Sequence, residues 1–178
     1  NEEGYNDSLV VILGNASFFY SIDSDWCKEN ILYRYRSKDK ETVNIAWNGF
    51  VHQSYLYTEF TLIFEPIYHE AIKNLDIFGK NLRKIILKGY VSLIFKFSEN
   101  PLRDYIPNIF SGDMAEETLE LFYFELSKGI DQLDKAGRKE IFDKWIKEFL
   151  DRRAENYPIK TSNHEKNLII KFLVKFPY

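Results

Sequence analysis

The stretch KEIFDKWIKEFLDRRAENYP, residues 139–158, decides the fold class of this chain. Its apolar side chains recur three and four positions apart: Ile141, Phe142, Trp145, Ile146, Phe149 and Leu150. This spacing predicts an amphipathic helix with one face in a core. Trp145 and Phe149 lie in the middle of that face, so we expect both to be buried structural anchors. Because a residue before proline avoids helical backbone angles, the helix should end before Pro158, the third anchor.

The segments before this stretch repeat the helical spacing. Over residues 42–54, one helix face collects Val43, Ala46, Trp47, Phe50 and Val51. Trp47 is the largest side chain of that face, and we expect it to be a fourth anchor. Gly49 lacks a side chain in the same helix, which would let another helix approach closely. Residues 81–97 are apolar on nearly all sides, which indicates a helix in the centre of a helical domain.

Two further segments have less direct patterns. Residues 9–20, LVVILGNASFFY, contain an apolar run that suits a buried strand as well as a helix. We favour a helix because the neighbouring segments are helical. Near the C-terminus, Ser162 precedes an apolar helix and Glu165 follows three residues later, which is the pattern of a capping box. Ser162 should therefore begin the last helix, with the carboxylate of Glu165 reaching back to it.

Together these segments predict an all-α fold of seven or eight helices, in an irregular bundle or in stacked antiparallel helical hairpins. The length suits one domain, and we assign residues 1–178 to a single helical domain. An apolar fraction of 45% and an aromatic fraction of 17% can supply a thick aromatic core. The chain begins at Asn1 rather than Met, so we expect an excised C-terminal part of a longer protein.

The charge balance argues against two classes of partner. Acidic residues number 27 and basic residues 24, which gives a formal net charge of −3. Such a balance creates no general attraction to nucleic acid or to an anionic membrane, and we expect neither. No uncharged apolar window reaches the roughly 18 residues of a transmembrane helix. The single Cys27 cannot form an intrachain disulfide and the N-terminus shows no signal peptide, so we expect a cytoplasmic protein.

The sequence contains no recognisable catalytic, metal or cofactor motif. His52, His69 and His164 lie far apart and lack the spacing of a zinc site. His69 is followed by Glu-Ala-Ile-Lys, which is not the His-Glu-x-x-His helix of metalloproteases. We therefore expect no catalytic residue, metal or cofactor in this domain alone. The alternative is a small helical hydrolase or nuclease with a site assembled from scattered residues, such as His52 or His69 with two carboxylates.

A basic stripe follows one face of the predicted helix over residues 81–97. It consists of Lys80, Arg83, Lys84 and Lys88, which are three and four positions apart. Such a stripe could contact phosphates or an acidic protein patch. We favour a solvated helix face, because charged side chains usually occupy the outer side of a helix.

Four tyrosines form a candidate protein interface. Tyr33, Tyr35, Tyr55 and Tyr57 lie at the ends of predicted helices, near the polar loop 37–41. Helix ends and loops are usually solvated, and exposed aromatic residues often anchor interfaces. The alternative is that the loops fold back and the rings cover the core, with their hydroxyl groups in water. We expect the four rings, as a group, to contact the rest of the parent protein or a partner.

Two stretches together resemble a known family. They are NIAWNGF, residues 44–50, and WIKEFLDRRAENYP, residues 145–158. The pair is similar to a C-terminal helical domain of unknown function in large bacterial anti-phage defence proteins, often behind a sirtuin-like NADase domain. The matching positions are Ala46, Trp47, Gly49, Phe50, Trp145, Arg153 and Pro158. Asn156 and Tyr157 depart from the family, which tends to have a glycine before this proline.

The resemblance implies a function but transfers no catalytic residue, because this part of the family is not enzymatic. It implies a non-catalytic interaction or regulatory module of a bacterial multidomain defence protein. Such a module would sense a phage-derived protein or assemble an effector domain elsewhere in the parent chain. The hydrolase or nuclease remains the alternative from a different functional class.

Overall fold

The computed structural model describes residues 2–51, 58–111 and 116–176, with side chains from residue 7 onward. Every regular element in these ranges is helical, and they contain no strand. The predicted all-α class is therefore confirmed, including helices over the ambiguous residues 9–20. The helices are α1 (Glu2–Gly14), α2 (Ala16–Ile22), α3 (Ser24–Asn30), α4 (Lys40–Val51), α5 (Thr58–Lys73), α6 (Lys80–Phe97), α7 (Pro101–Asp104), α8 (Ile106–Ile109), α9 (Glu116–Asp131), α10 (Lys135–Ile141), α11 (Lys147–Ala154) and α12 (Asn163–Leu173). Two 3₁₀ segments, Leu32–Arg36 and Leu75–Ile77, and one π-helical turn, Phe142–Ile146, complete the described elements.

The helices in these ranges are more numerous than the seven or eight that we predicted, because local caps divide the chain more finely. The carboxylate of Asp23 accepts a hydrogen bond from the backbone N–H of Trp26 at 2.9 Å and begins α3 directly after α2. Asn100 accepts from the backbone N–H of Arg103 at 3.1 Å, and Pro101 follows it at the start of α7. Both are ordinary N-terminal signals that begin short helices.

The chain divides into two compact units, residues 1–85 and 86–178, and the boundary falls within α6. The single domain over residues 1–178 and the arrangement as a bundle or as hairpins stay predictions. Among the helices of the described ranges, none is long and apolar enough to span a bilayer.

In the first unit, α1 packs closely against α4. Gly14 and Gly49 lie at this contact: a Cβ built on Gly14 would be only 2.6 Å from the carbonyl oxygen of Gly49. The close approach predicted at Gly49 is therefore confirmed. Behind the contact, Trp47 is fully buried among aromatic rings, with the ring centroid of Tyr68 at 5.1 Å. Trp47 is therefore buried, as an anchor of the core would be, and its aromatic neighbours use part of the high aromatic content.

In the second unit, the stretch that decides the fold forms α10, the π-helical turn and α11. Trp145 and Phe149 are buried, as predicted, and Phe149 packs near the rings of Phe122 and Tyr123. The helix ends at Ala154, before Pro158, also as predicted. Pro158 follows a cis peptide bond and its side chain is exposed, so its role as a structural anchor stays a prediction.

Arg153 forms the polar centre of the second unit. It is fully buried, and its guanidinium group donates to both carboxylate oxygens of Glu165, at 2.7 and 2.6 Å. Its remaining terminal nitrogen donates to the carbonyl oxygens of Tyr157 and Ile159, at 2.7 and 2.8 Å. The hydroxyl group of Tyr123 donates to Glu165 at 3.0 Å. One buried ion pair therefore joins α9, α11, the loop after α11 and α12.

This ion pair corrects the prediction for Glu165. Ser162 does begin α12, because its hydroxyl oxygen accepts from the backbone N–H of Glu165 at 3.0 Å. The carboxylate of Glu165 does not reach back toward Ser162, since both of its oxygens accept from Arg153. A buried guanidinium group is a stronger partner for a carboxylate than a backbone N–H at a helix end.

Candidate interaction groove

An open groove lies between α1 and α3 in the first unit, and we call it the α1–α3 groove. It has a volume of about 290 Å³. Its walls are formed by α1, by α3 and by the 3₁₀ segment that follows α3. The lining residues are Ser8, Leu9, Ile12, Leu13, Trp26, Asn30, Ile31 and Arg34.

The sequence of α3 explains why three of these side chains face the groove. Trp26 and Asn30 are four residues apart on the same side of α3, and Arg34 follows four residues later in the 3₁₀ segment and lines the same groove. The Asp23 cap fixes where α3 begins and therefore which way Trp26 points. The amide group of Asn30 donates to the carbonyl oxygen of Trp26 at 2.9 Å, which holds the middle of the row in place.

Apolar surface extends from the groove into solvent. Trp26 is 45% exposed and Ile12 is 41% exposed, although both contribute to the groove wall. The ring of Phe19 lies 5.8 Å from that of Trp26, and the half-exposed Phe18 lies 5.6 Å from Phe19. Large exposed apolar side chains that form a group, rather than lying singly, mark sites of association.

Among the described residues that line the groove, Arg34 is the only charged one. Its side chain is half-buried, with its Nε donating to the carbonyl oxygen of Asn30 at a long 3.4 Å. Its guanidinium carbon lies 5.2 Å from the ring centre of Tyr33. Within the described ranges no carboxylate pairs with Arg34, so the groove combines an apolar wall with one uncompensated positive charge.

The four predicted interface tyrosines have different outcomes. Tyr33 is 50% exposed and lies beside Arg34, which agrees with a surface role. Tyr35 is only 2% exposed, and its hydroxyl group donates to the carbonyl oxygen of Leu13 at 2.7 Å, so its assignment to the interface was wrong. Tyr55 and Tyr57 lie outside the described residues.

The predicted basic stripe is divided between two roles. Lys84 and Lys88 are exposed on α6, and Lys80 is exposed at its start. Arg83 turns back from this row and donates to the carbonyl oxygens of Phe78 and Asp76, at 2.6 and 3.3 Å. Its guanidinium group therefore satisfies the end of a 3₁₀ segment and is not part of a free basic surface.

The described residues contain no group of three or more His, Cys, Asp or Glu side chains that could hold a metal ion. The Nε2 atom of His69 lies 3.4 Å from Glu65 on the same helix, and that of His164 lies 3.1 Å from Glu120. Neither histidine lines the groove, and His52 lies outside the described residues.

No family model, curated protein or solved structure matches this chain. The function therefore has to be inferred from the geometry of the chain itself. Sequence reasoning missed Ile12 and Trp26 as surface residues, since both belong to patterns that also suit a core. The repeated spacing of four from Trp26 through Asn30 to Arg34 was the one signal that could have identified the groove.

The thiol group of Cys27 lies in α3 but does not line the groove. It is fully buried and donates to the carbonyl oxygen of Ala16 at 3.4 Å. Burial, with a smaller contribution from the Asp23 carboxylate, raises the pKa of the thiol to about 11. Because only the thiolate reacts rapidly, the folded protein should resist a disulfide reagent at pH 8, and the labelling rate should rise as the pH approaches 11.

The labelling rate of Cys27 can be followed with Ellman's reagent, using the protein in 8 M urea as the fully accessible control. Equal rates in buffer and in urea at pH 8 would show that the α2–α3 contact is not closed in solution.

Proposed function

We propose that this chain is a non-catalytic helical interaction module that docks a segment of a partner protein in the α1–α3 groove. The observation that carries the proposal is the half-exposed indole of Trp26 on the wall of an apolar groove. Tryptophan is among the side chains that most often dominate binding energy at protein interfaces. Because about half of the Trp26 ring is still in contact with water, a partner that covers it would bury additional apolar surface and gain binding energy.

The size of the groove favours protein side chains over a small molecule. Ligand pockets usually measure about 300–1,000 Å³ and enclose most of their ligand. The α1–α3 groove reaches about 290 Å³, and the eight described residues that line it include no His, Cys, Asp or Glu. One or two apolar side chains from a partner would fill it. Because two helical segments form the walls, a third helix laid between them is the natural occupant.

The resemblance supports a biological setting for this module. On that resemblance we propose that the chain is part of a bacterial multidomain anti-phage defence protein in the cytoplasm, where it regulates or assembles an effector. If the family holds, the effector is a sirtuin-like NADase domain, and the docked segment belongs to that domain or to a phage protein. This step rests on analogy between folded modules and not on chemistry in this chain.

We expect a display library of randomised 16-residue helical peptides to yield binders to the purified chain. Trp26→Ala and Ile12→Ser should each weaken the selected peptides at least about tenfold, because they remove anchor surface. Neither substitution should shift the thermal midpoint by more than a few degrees, since both side chains are half in water. Affinity is measured by fluorescence polarisation of labelled peptides.

The matched control is Ile170→Ser, which removes an isoleucine that is 62% exposed on α12. It should leave peptide affinity unchanged. Binders that tolerate both groove substitutions, or a library that yields no binder, would refute the docking role.

A further inference from the structure

We infer that the segment docked in the α1–α3 groove is an amphipathic helix that presents a carboxylate to Arg34. This inference rests on the proposed docking function and adds the chemistry of the partner. Two features of the groove support it: the charges near Arg34 and the position of Arg34 along the groove.

Two cations close to Arg34 in sequence already have acidic partners. Lys28 of α3 lies 3.0 Å from Asp25, and Arg36 lies 3.2 Å from Glu70. In the described part of the chain, Arg34 has only a long contact with a carbonyl oxygen and the ring of its neighbour. A guanidinium group has five N–H donors and forms its strongest bonds with carboxylates. Glu29 of α3 does not line the groove, which leaves the positive charge of Arg34 for the partner.

The position of Arg34 defines the spacing in the partner. Arg34 lies eight positions after Trp26, beyond the end of α3 and inside the following 3₁₀ segment, and both side chains line the groove. A helix that lays its apolar anchor between Trp26 and Ile12 therefore reaches Arg34 with a residue one or two turns away. The expected partner has apolar residues three and four positions apart, followed on the same face by Asp or Glu.

The test uses the binders selected from the randomised library, which carries no bias toward acidic residues. We expect the binders to share an Asp or Glu at one fixed position relative to their apolar anchor. Changing that residue to Asn or Gln should weaken binding roughly fivefold, the upper range for a partly exposed ion pair. Arg34→Gln should cause a similar loss, and the two changes together should cost little more than either alone.

Charge reversal gives a gain that a structural role of Arg34 would not produce. Arg34→Glu should reject the original peptides and regain affinity when their acidic residue is replaced by Lys. Arg36→Gln is the matched control, because it removes an exposed arginine of the same 3₁₀ segment that already pairs with Glu70. It should leave peptide affinity unchanged. The loss caused by Arg34→Gln should shrink at high salt, as expected for a partly exposed pair.

The outcomes separate the two proposals. Peptides that need Trp26 and Ile12 but share no acidic position, or that bind the Arg34→Gln variant equally well, refute the carboxylate and leave the docking function standing. Peptides that ignore Trp26 and Ile12, or a library without binders, refute both.

Discussion

Gly49→Ala should lower the free energy of unfolding by about 2–3 kcal/mol, although alanine is the better helix former. A Cβ on Gly49 would collide with the carbonyl oxygen of Val10 and lie 2.8 Å from the backbone nitrogen of Gly14. Both obstacles are backbone atoms of α1, so no side chain can rotate to make room. The whole of α1 would have to move away from α4, which costs packing along their contact.

Gly14→Ala should have a similar effect, because it adds a methyl group at the opposite side of the same contact. The double variant should cost less than the sum of the two, since the first substitution already separates the helices. Because α1 also forms one wall of the α1–α3 groove, both variants should weaken peptide binding while leaving Trp26 in place. Weaker peptide binding with Trp26 unchanged would show that the close packing of Gly14 and Gly49 also maintains the shape of the proposed docking groove.

The control for the glycine pair is Gly79→Ala, because nothing lies within 4 Å of a Cβ at that position. It should change stability by less than about 1 kcal/mol. Thermal melts monitored by far-ultraviolet circular dichroism compare the variants, and 2–3 kcal/mol corresponds to roughly 4–12 °C in a chain of this size. A Gly49→Ala protein that melts with the parent would show that α1 and α4 are further apart than the structure places them.

The periodic segments were predictable because local spacing alone determines which face of a long helix is apolar. Trp47, Trp145 and Phe149 are buried for that reason, and Gly49 was recognised as a site of close approach. Short segments gave less information. Tyr33 and Tyr35 are two residues apart in a 3₁₀ segment with three residues per turn, so their side chains point about 120° apart around its axis. Proximity to a helix end could not tell which ring would be exposed.

Contacts between residues far apart in the sequence were the second feature that could not be predicted from the sequence. Arg153 and Glu165 were interpreted from their neighbours, as a family position and as a capping residue. The structure pairs them across twelve positions in a buried site. A local sequence pattern cannot show that the loop after α11 brings Arg153 into contact with Glu165 in the first turn of α12. The burial of both charges depends on the packing of four separate elements. The groove was missed for the same reason, since α1 and α3 form it together.

Arg153→Met should lower the free energy of unfolding by about 3–5 kcal/mol, the largest effect that we expect from a single substitution in this chain. Methionine can occupy much of the space of the arginine stem, so lost volume is not the main cause. The cost arises because the carboxylate of Glu165, only 2% exposed, is left without its cation. The carbonyl oxygens of Tyr157 and Ile159 also lose their donor.

Arg152→Met is the matched control, because it changes the preceding residue of the same helix in the same way. Arg152 pairs with Glu148 at 2.5 Å on the surface, with 40% of its side chain exposed. An exposed pair four residues apart on a helix contributes about 0.3–0.5 kcal/mol, so this variant should melt within a few degrees of the parent. The difference between two adjacent arginines therefore measures the effect of burial.

Replacing both Arg153 and Glu165 separates the energetic effect of their charge pairing from the effect of the volume that their side chains fill. Glu165→Met alone should cost about as much as Arg153→Met, since it leaves a buried guanidinium group without its counter-charge. The double variant removes both charges, so it should be more stable than the sum of the two losses predicts by at least about 2 kcal/mol. It should still be less stable than the parent, because the hydroxyl group of Tyr123 and the two loop carbonyl oxygens remain unsatisfied. Urea unfolding of the four proteins gives the coupling directly, and simple additivity of the two losses would mean that Arg153 and Glu165 are not paired in solution.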